Sequence, residues 1–339
     1  MGNGLYLTST VFKLLLFTSL VFISSCVRKA DKPEAQKYLR AFDAELMQHS
    51  RRIARSDGMQ ALSRLLNLPS APLPLIYSNT VDSSGNRGYS LEVACGSFSF
   101  DEQNQLWVEN QAPQDSSKLQ LMFQNTDGQW LCCRIYDYDE QPTALGLMFP
   151  TRLNATIMKQ EHELVKVKVK SDIAYGFPAS ATAEITLAGY DFKMNLTTTF
   201  HNHKQATLQT DAWIKRDRKE VVAAVMKSDV KISEHNTLTY NEKHLRLEAF
   251  PLIMELRSAY DFSQSSANDF FNQWNRKSKV WLYSQDGVSL GELILKRPSG
   301  KDRLNIFIQY HDGTDENLED LMLLVKSVLN VKIVPYRPY

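Results

Sequence analysis

The chain lacks a large net charge of either sign. Its 39 Lys and Arg residues nearly balance 38 Asp and Glu residues, which leaves a formal charge of +1 at pH 7. A nucleic-acid-binding surface needs an excess of positive charge to neutralise phosphates, so we expect no nucleic-acid partner. The apolar content of 43% is typical of a folded globular protein. A length of 339 residues is enough for one large domain or two modest ones.

The sequence also lacks the short motifs that mark a catalytic or metal site. It contains no phosphate-cradling glycine loop and no Gly-x-Ser-x-Gly elbow. His201 and His203 could share one face of a strand, but no Cys or carboxylate reinforces the pair, and a solvated turn is favoured. The acidic run at residues 136–140 is interpreted as a polar surface loop rather than a calcium or sugar site. We therefore predict a non-catalytic protein without a metal or another cofactor.

Long apolar runs are scarce as well. The clearest one, at residues 14–23, is too short to cross a bilayer, which takes roughly 20 apolar residues. Lys13 is the only charged side chain before Cys26, as in an export signal. The motif Ile23-Ser24-Ser25-Cys26 closely resembles the lipobox of bacterial lipoproteins, in which an aliphatic residue and two small residues precede the modified cysteine. The alternative is an ordinary secretory signal with a chance cysteine.

The lipobox resemblance implies a location. It implies that the chain is cut before Cys26 and that acyl chains such as palmitate on this residue anchor it in a membrane. In many Gram-negative lipoproteins an Asp after the cysteine causes retention in the inner membrane, and Val27 stands here instead, which favours the outer membrane. Residues 28–32 contain no acidic run of the kind that exports lipoproteins to the cell surface. The periplasmic face is therefore favoured, with the cell surface as the alternative.

Cysteine is rare, and three thiols remain after Cys26. Cys95, Cys132 and Cys133 are an odd number in a compartment that permits disulfides. Adjacent residues on a strand point to opposite faces, so either Cys132 or Cys133, but not both, could pair with Cys95. The alternative is that all three are reduced core residues.

Helical spacing of apolar residues appears near both ends of the chain. Leu39, Phe42, Leu46 and Ile53 recur at helical intervals, and Ser56 or Asp57 is suited to cap a second helix. A final helix is predicted from about Thr314, with an apolar face formed by Leu318, Leu321, Met322, Val325, Val328 and Leu329.

The middle of the chain alternates in hydrophobicity with a period of two. Valines and lysines alternate over residues 164–170, and apolar and polar residues alternate over 192–200. Strands of this length joined by short turns predict an antiparallel meander. We therefore expect an α+β fold, in which a large twisted antiparallel sheet is covered by the N-terminal and C-terminal helices. The predicted segments are a signal peptide at 1–25, a lipidated tether at 26–36, a helical lead-in at 37–68, the β meander at 69–255, and an α+β part packed on the same sheet at 256–339.

Two stretches resemble uncharacterised lipoproteins of Bacteroidota. One is the helical start, residues 42–46 through 59–62. The other combines Gly96-Ser97-Phe98-Ser99-Phe100 and Trp107 with Phe149-Pro150 and Asn154-Ala155-Thr156. The corresponding pattern looks like a Gly-aromatic-x-aromatic hairpin that leads into a long meander. That family carries no activity or catalytic residues to transfer.

The rhythm of strands and turns is more distantly similar to Lol-type lipoprotein carriers. Those proteins are curved half-barrels that bury acyl chains between a concave sheet and helices; this chain is longer and has a larger helical lead-in. The resemblance implies a ligand site between sheet and helices, and the alternation places Phe192, Met194, Leu196 and Phe200 on its sheet side, opposite the final helix. We expect an apolar or amphipathic ligand or an envelope protein partner. The alternatives are a structural or assembly lipoprotein and a surface glycan-binding protein, whose platform would use some of the five tryptophans at 107, 130, 213, 274 and 281.

Overall fold

The fold is known from a computed structural model. It describes residues 27–74, 78, 80–81, 87–110, 118–144, 148–233, 238–260, 270–296 and 305–323. Cys26 and the predicted signal segment lie outside these residues. The helices within the described ranges are α1 Lys32–Ala54, α2 Asp57–Asn67, α3 Leu91–Ala94, α4 Phe270–Lys277 and α5 Leu318–Leu321.

The strands of the described part follow one another closely along the chain. They are β1 Thr80–Val81, β2 Arg87–Gly88, β3 Gly96–Asp101, β4 Leu106–Glu109, β5 Leu119–Gln124, β6 Trp130–Pro142, β7 Met148–Lys159, β8 His162–Ala174, β9 Phe177–Leu187, β10 Tyr190–Asn202, β11 Gln205–Arg216, β12 Lys219–Ile232, β13 Leu238–Ala249, β14 Leu252–Ser258, β15 Ser278–Ser284, β16 Ser289–Lys296, β17 Asn305–Gln309 and β18 Asp315–Asn317.

Sixteen of these strands form one sheet. Strands β5 to β18 pair in chain order as an antiparallel meander. Beyond β5, β3 pairs parallel to it, and β4 pairs antiparallel with β3 as the edge strand of the sheet. The expected α+β fold with a large sheet is confirmed, but the sheet is mixed rather than wholly antiparallel. It continues without a break past residue 255 to β18.

The first helix begins earlier than the sequence analysis predicts. Asp31 caps α1 by accepting a hydrogen bond from the Glu34 backbone N–H, and Pro33 occupies the first turn, where its missing N–H does no harm. The predicted tether through residue 36 is therefore wrong for its last five residues, which are helical. The prediction for α2 is confirmed, since the Ser56 hydroxyl accepts from the Met59 N–H.

The two faces of the sheet differ in composition. We call the face that carries Leu187, Tyr190 and Leu252 the helix face, because side chains of α1 or α2 pack there, and the opposite face the outer face. On β8 the valines at 165, 167 and 169 point to the helix face and the lysines at 166, 168 and 170 to the outer face. The alternation predicted from the sequence is thus present in the strand.

Buried apolar residues form two clusters on the helix face. The first joins α2 and the following segment to β5–β9, with Leu65, Leu121 and Val165 at its centre. The second joins α1 and α5 to β14–β17, with Leu39, Leu290 and Ile308 nearly inaccessible to solvent. Most apolar side chains on β10–β13, between the two clusters, are only partly buried.

Helix α1 crosses the strands that separate the two clusters. Near its start, Gln36 donates a hydrogen bond of 2.7 Å to Glu316 on β18, and near its end His49 lies 2.7 Å from the Tyr190 hydroxyl on β10. Gln36 and His49 are 13 residues apart in α1, which is about 20 Å along the helix axis. β10 and β18 are eight strand spacings apart, or about 38 Å along the sheet. The sheet must therefore curve towards α1 between these two strands.

The final helix begins later than predicted. Residues 315–317 form β18 against β17, Leu318–Leu321 is helical, and Leu323 is again helical where the described residues end. Val325, Val328 and Leu329 lie outside the described residues. Among the helices that the structure describes, none combines the length and apolar character that a membrane crossing requires.

Candidate functional site

Three of the four predicted ligand-site residues lie side by side on the helix face of β10. Phe192, Met194 and Leu196 are consecutive on this face, and 43% of Met194 is exposed. Phe200 is separated from them by Thr198, whose hydroxyl donates to the Pro178 carbonyl. The Phe200 ring instead packs edge-on against Tyr175, with centroids 5.1 Å apart. The structure thus groups three of the predicted residues and sets Phe200 apart.

The strand register extends this group into rows that run across the sheet. Met194 stands in a row whose two ends, Leu153 and Leu282, are buried, while the residues between them are partly buried or exposed. Its members between them are Val169, Ala183, Met194, Ala212, Ala224, Leu247 and Met254. Ala183 and Ala212 flank Met194 in this row, and Ala224 follows Ala212. Because alanine side chains are short, this part of the row forms a shallow groove between its neighbours.

Larger side chains border this row on both sides. One neighbouring row contains Ile185, Phe192, Ile214 and Val222, and the other contains Leu196, Met226, Leu245 and Leu256. We call these three rows on β9–β14 the apolar tract. Because adjacent strands lie about 4.8 Å apart, the tract is roughly 24 Å long across the strands. A long, shallow surface of this kind suits a linear apolar chain better than a compact molecule.

A polar row closes the tract on one side. Thr198, Ser228, Lys243, Ser258 and Ser278 occupy successive positions, with Leu208 as the one apolar member on β11. The Lys243 ammonium donates to the Tyr240 and Tyr260 carbonyls at 2.8 and 2.5 Å, and the Ser258 and Ser278 hydroxyls lie 2.7 Å apart. The tract therefore has an apolar body and a polar margin.

An apolar cavity of about 120 Å³ lies between α2 and the sheet. Leu62, Leu65 and Leu66 of α2 form its roof with Leu73 and Pro74, and its floor is formed by Cys133, Ile135, Leu153, Ala155, Thr156, Ile157, Val165 and Val167. An apolar cavity of this size disfavours water, which needs several polar partners. Leu153 also begins the Met194 row, and Val167 lies beside Ile185, so the floor of the cavity adjoins the apolar tract on the same face of the sheet.

Gly58 determines how closely α2 approaches the floor of the cavity. A Cβ at this position would lie 2.5 Å from the Leu187 side chain and 2.6 Å from the Leu164 carbonyl oxygen. Both distances are far below van der Waals contact, so only glycine permits this approach. The cap signal at Ser56 or Asp57 indicates where this helix begins, but no local pattern indicates the packing role of Gly58.

The predicted opposite wall of the site is wrong in its location. Leu318, Leu321 and Met322 are buried in the second cluster, beside β17 and β18. That position is about seven strands from β10, because the order of strands in the sheet follows the chain. A helical residue that does contact β10 is His49 of α1, which lies 2.7 Å from the Tyr190 hydroxyl.

The outer face carries a lattice of charges of both signs. Lys193 pairs with Glu184 at 2.7 Å, and this contact lowers the pKa of the Glu184 carboxyl. Arg152 lies 3.7 Å from Asp137 and 3.6 Å from Asp139. Exposed pairs like these contribute little stability, but they make this face of the sheet polar and solvent-exposed.

The acidic run at residues 136–140 is part of β6, not a loop as predicted. Glu140 accepts hydrogen bonds from the Tyr89 N–H at 2.6 Å and from the Tyr138 hydroxyl. Burial and this carboxylate raise the pKa of Tyr138. The carboxylate oxygens of Glu140 are therefore used in holding the segment at Tyr89 to the sheet.

The histidine pair is divided by the turn it was predicted to occupy. His201 is still on β10, 2.8 Å from the Thr207 hydroxyl, while His203 is in the turn and packs on Tyr175. Within the described ranges, no group of three or more His, Cys, Asp and Glu side chains is placed to hold a metal ion.

The tryptophans are dispersed rather than arranged as one platform. Trp213 and Trp281 share the outer face but lie four strands apart, and Lys215 and Arg257 stack on them. Trp107 packs against Phe100 and Trp274 against Tyr260. Trp130 begins β6 and is half exposed.

The three downstream cysteines are free thiols. Cys133 faces the cavity, and burial raises its pKa to about 12. Cys132 is on the outer face, where burial again raises the pKa, against the opposing effect of Arg134. Neither thiol is therefore activated as a nucleophile.

Comparison of the chain with protein-family models, with curated proteins and with solved structures finds no match in any of the three.

Proposed function

We propose that this protein is a non-catalytic lipoprotein of the cell envelope that binds an apolar or amphipathic ligand between its sheet and helices. In this proposal acyl chains on Cys26 anchor it in the outer membrane, facing the periplasm. The observation that carries the ligand proposal is the apolar tract on β9–β14, a continuous set of partly exposed apolar side chains that adjoins the floor of the cavity under α2.

The shape of the tract supports an acyl chain as the bound group. The row through Met194 is low because alanines surround it, and larger residues flank it on both sides. A chain lying in this row would remove apolar surface from water, which contributes roughly 25 cal/mol for each Å² buried. The polar end of such a ligand, a headgroup or a carboxylate, would then lie beside the hydroxyl and ammonium groups of the polar row that contains Lys243. In this arrangement α1 and α2 are the opposite wall.

The test is titration with a fluorescent fatty-acid probe, using two variants matched in exposure. Met194→Gln places an amide in the tract, whereas Val225→Gln places one on the outer face, where Val225 is 44% exposed against 43% for Met194. We expect Met194→Gln to weaken probe uptake severalfold and Val225→Gln to leave it unchanged. Thermal melting of both variants should match that of the wild type.

The cavity under α2 is tested separately by filling it. Ala155 lies on the cavity floor, and Ala155→Leu adds volume without adding a polar atom. If the ligand uses the cavity, this variant should bind the probe less tightly while melting at the same or a higher temperature. A wild-type protein that takes up no probe, or variants whose uptake falls only as they unfold, would instead favour a structural or assembly lipoprotein.

A further inference from the structure

The described chain joins the sheet immediately after the proposed acylation site. The Ala30 N–H donates to the Ser289 carbonyl at 2.9 Å, and the Ser289 N–H donates to the Arg28 carbonyl at 2.8 Å. Val27 is thus the only residue between Cys26 and this pairing. Successive Cα atoms are 3.8 Å apart, so the Cα of Cys26 lies within roughly 8 Å of that of Arg28. A tether this short cannot lift the fold away from a membrane.

The direction of the pairing shows which end of the sheet adjoins the anchor. Lys29 and Ser289 form a parallel bridge, so the chain running back from Lys29 towards Cys26 follows β16 back towards the β15–β16 turn. The neighbouring β13–β14 turn lies at the same end, since the Gln285 N–H donates to the Pro251 carbonyl at 3.0 Å. We call this end of the strands the anchor end.

Phe250 protrudes at the anchor end. It occupies the β13–β14 turn, and 60% of its side chain is exposed. From β14 to the segment at residues 28–30 there are three strand spacings, or about 15 Å. A single exposed aromatic is unremarkable on a soluble surface, but here it lies beside the point of lipid attachment. Aromatic side chains favour the boundary between headgroups and acyl chains.

The charged side chains at the anchor end do not by themselves favour contact with a membrane. Lys29 and Arg218 are exposed there, but so are Asp217 and Asp286. The two signs offset each other, so attraction to anionic lipid is weak. Both ends carry an exposed aromatic, Phe250 here and Tyr175 at the opposite end, so proximity to the proposed attachment point is what distinguishes the anchor end.

We infer that the anchor end of the sheet lies against the phospholipid surface, and that Phe250 inserts at the headgroup boundary as a second, non-covalent contact. This inference rests on the proposed acylation of Cys26. It orients the molecule, because the strands then rise from the bilayer. It also places the entrance of the apolar tract near the lipid, since the Phe192 row ends at Leu252, directly after the Phe250–Pro251 turn.

The experiment uses the acylated, full-length mature protein in phosphatidylcholine vesicles whose acyl chains carry bromine, which quenches tryptophan on contact. Phe250→Trp places the probe at the anchor end. Tyr175→Trp is the matched control, because Tyr175 is an aromatic residue in the β8–β9 turn, 65% exposed, at the opposite end of the strands. Asp286→Trp, in the exposed β15–β16 turn, is a second probe at the anchor end.

We expect the emission added by Phe250→Trp to be largely quenched, that of Asp286→Trp to be partly quenched, and that of Tyr175→Trp to be unchanged. Acylated protein in which neither anchor-end probe is quenched, or in which the Tyr175→Trp probe is quenched instead, would overturn the inference and leave the ligand proposal intact. Protein without acyl chains would overturn the acylation proposal and this inference together. Thermal melting identifies any variant that fails to fold.

Discussion

The Tyr190 hydroxyl lies 2.7 Å from Nδ1 of His49, while Nε2 of the same ring lies 3.2 Å from Glu45. All three groups are satisfied when the tyrosine donates to Nδ1 and the imidazole donates to the carboxylate. Tyr190 is 1% exposed, and this contact joins the end of α1 to the sheet at the border of the first apolar cluster, where Tyr190 pairs with Leu187. It therefore holds the helix beside the apolar tract.

Removing this hydroxyl should loosen α1. We predict that Tyr190→Phe lowers the free energy of unfolding by about 1 kcal/mol, since it leaves a half-enclosed imidazole nitrogen without its partner. Tyr175→Phe, in an exposed turn, should change stability little. Urea unfolding measures both variants, and equal stability of Tyr190→Phe and wild type would show that the contact does not hold the helix.

For Gly58→Ala we predict a change in stability opposite to the one that helix propensity would give. In an ordinary helix, replacing Gly with Ala stabilises by roughly 0.5–1 kcal/mol. Here the added methyl would collide with the Leu187 side chain and the Leu164 carbonyl, so Gly58→Ala should destabilise the protein. Gln60→Ala, on the exposed side of α2, is the control and should be neutral. A more stable Gly58→Ala variant would contradict the close approach of α2.

Alkaline pH should destabilise the fold through Cys133. Burial raises the pKa of this thiol to about 12 from an ordinary value near 9. Between these values the unfolded chain releases a proton that the folded chain retains, so the stability associated with the neutral thiol is present below pH 9 and is lost as the pH rises towards 12. We predict that unfolding free energy falls with pH in this window and that Cys133→Ala reduces the slope. An unchanged slope would show that the thiol is not protected.

The proposed anchor is tested by one substitution. Cys26→Ser should abolish incorporation of a palmitate analogue during growth, because no other side chain in the lipobox-like motif offers a thiol. Cys95→Ser, which alters a downstream thiol that is only partly buried, should leave labelling intact. Equal labelling of the wild type and Cys26→Ser would rule out this residue as the acylation site.

The sequence predicts the middle of the sheet better than its borders. Strands β8 and β10 are evident from alternation alone, because each has one wet face and one apolar face. The parallel pairing of β3 with β5 leaves no local trace, since register between strands that are not adjacent in the chain depends on the assembled sheet. Asp315 and Glu316 suit a helix start, yet both belong to β18. The Glu316 carboxylate there accepts hydrogen bonds from the side chains of Gln36 and Tyr310. The contact with Gln36 requires α1 to lie against β18, which no local pattern in residues 314–316 indicates.

Alternation along a strand also made part of the candidate site predictable. Phe192, Met194 and Leu196 share a face because strand geometry requires it. The three alanines in the Met194 row come from three different strands, and the cavity under α2 depends on Gly58, so neither follows from a local pattern. The Asp31-Lys32-Pro33-Glu34 segment did contain a helix-start signal, namely an acidic cap followed by proline in the first turn. That signal would have corrected the predicted tether.

The most direct test of the proposed function is mass spectrometry of the mature wild-type protein with its co-purified lipid, beside Met194→Gln and Val225→Gln. The account predicts a covalent acyl modification at Cys26 in all three proteins. It also predicts a separate, non-covalently bound lipid in the wild type and Val225→Gln that is depleted in Met194→Gln. A folded, acylated wild-type protein that retains no such lipid, or equal retention by Met194→Gln, would contradict a ligand site on the apolar tract.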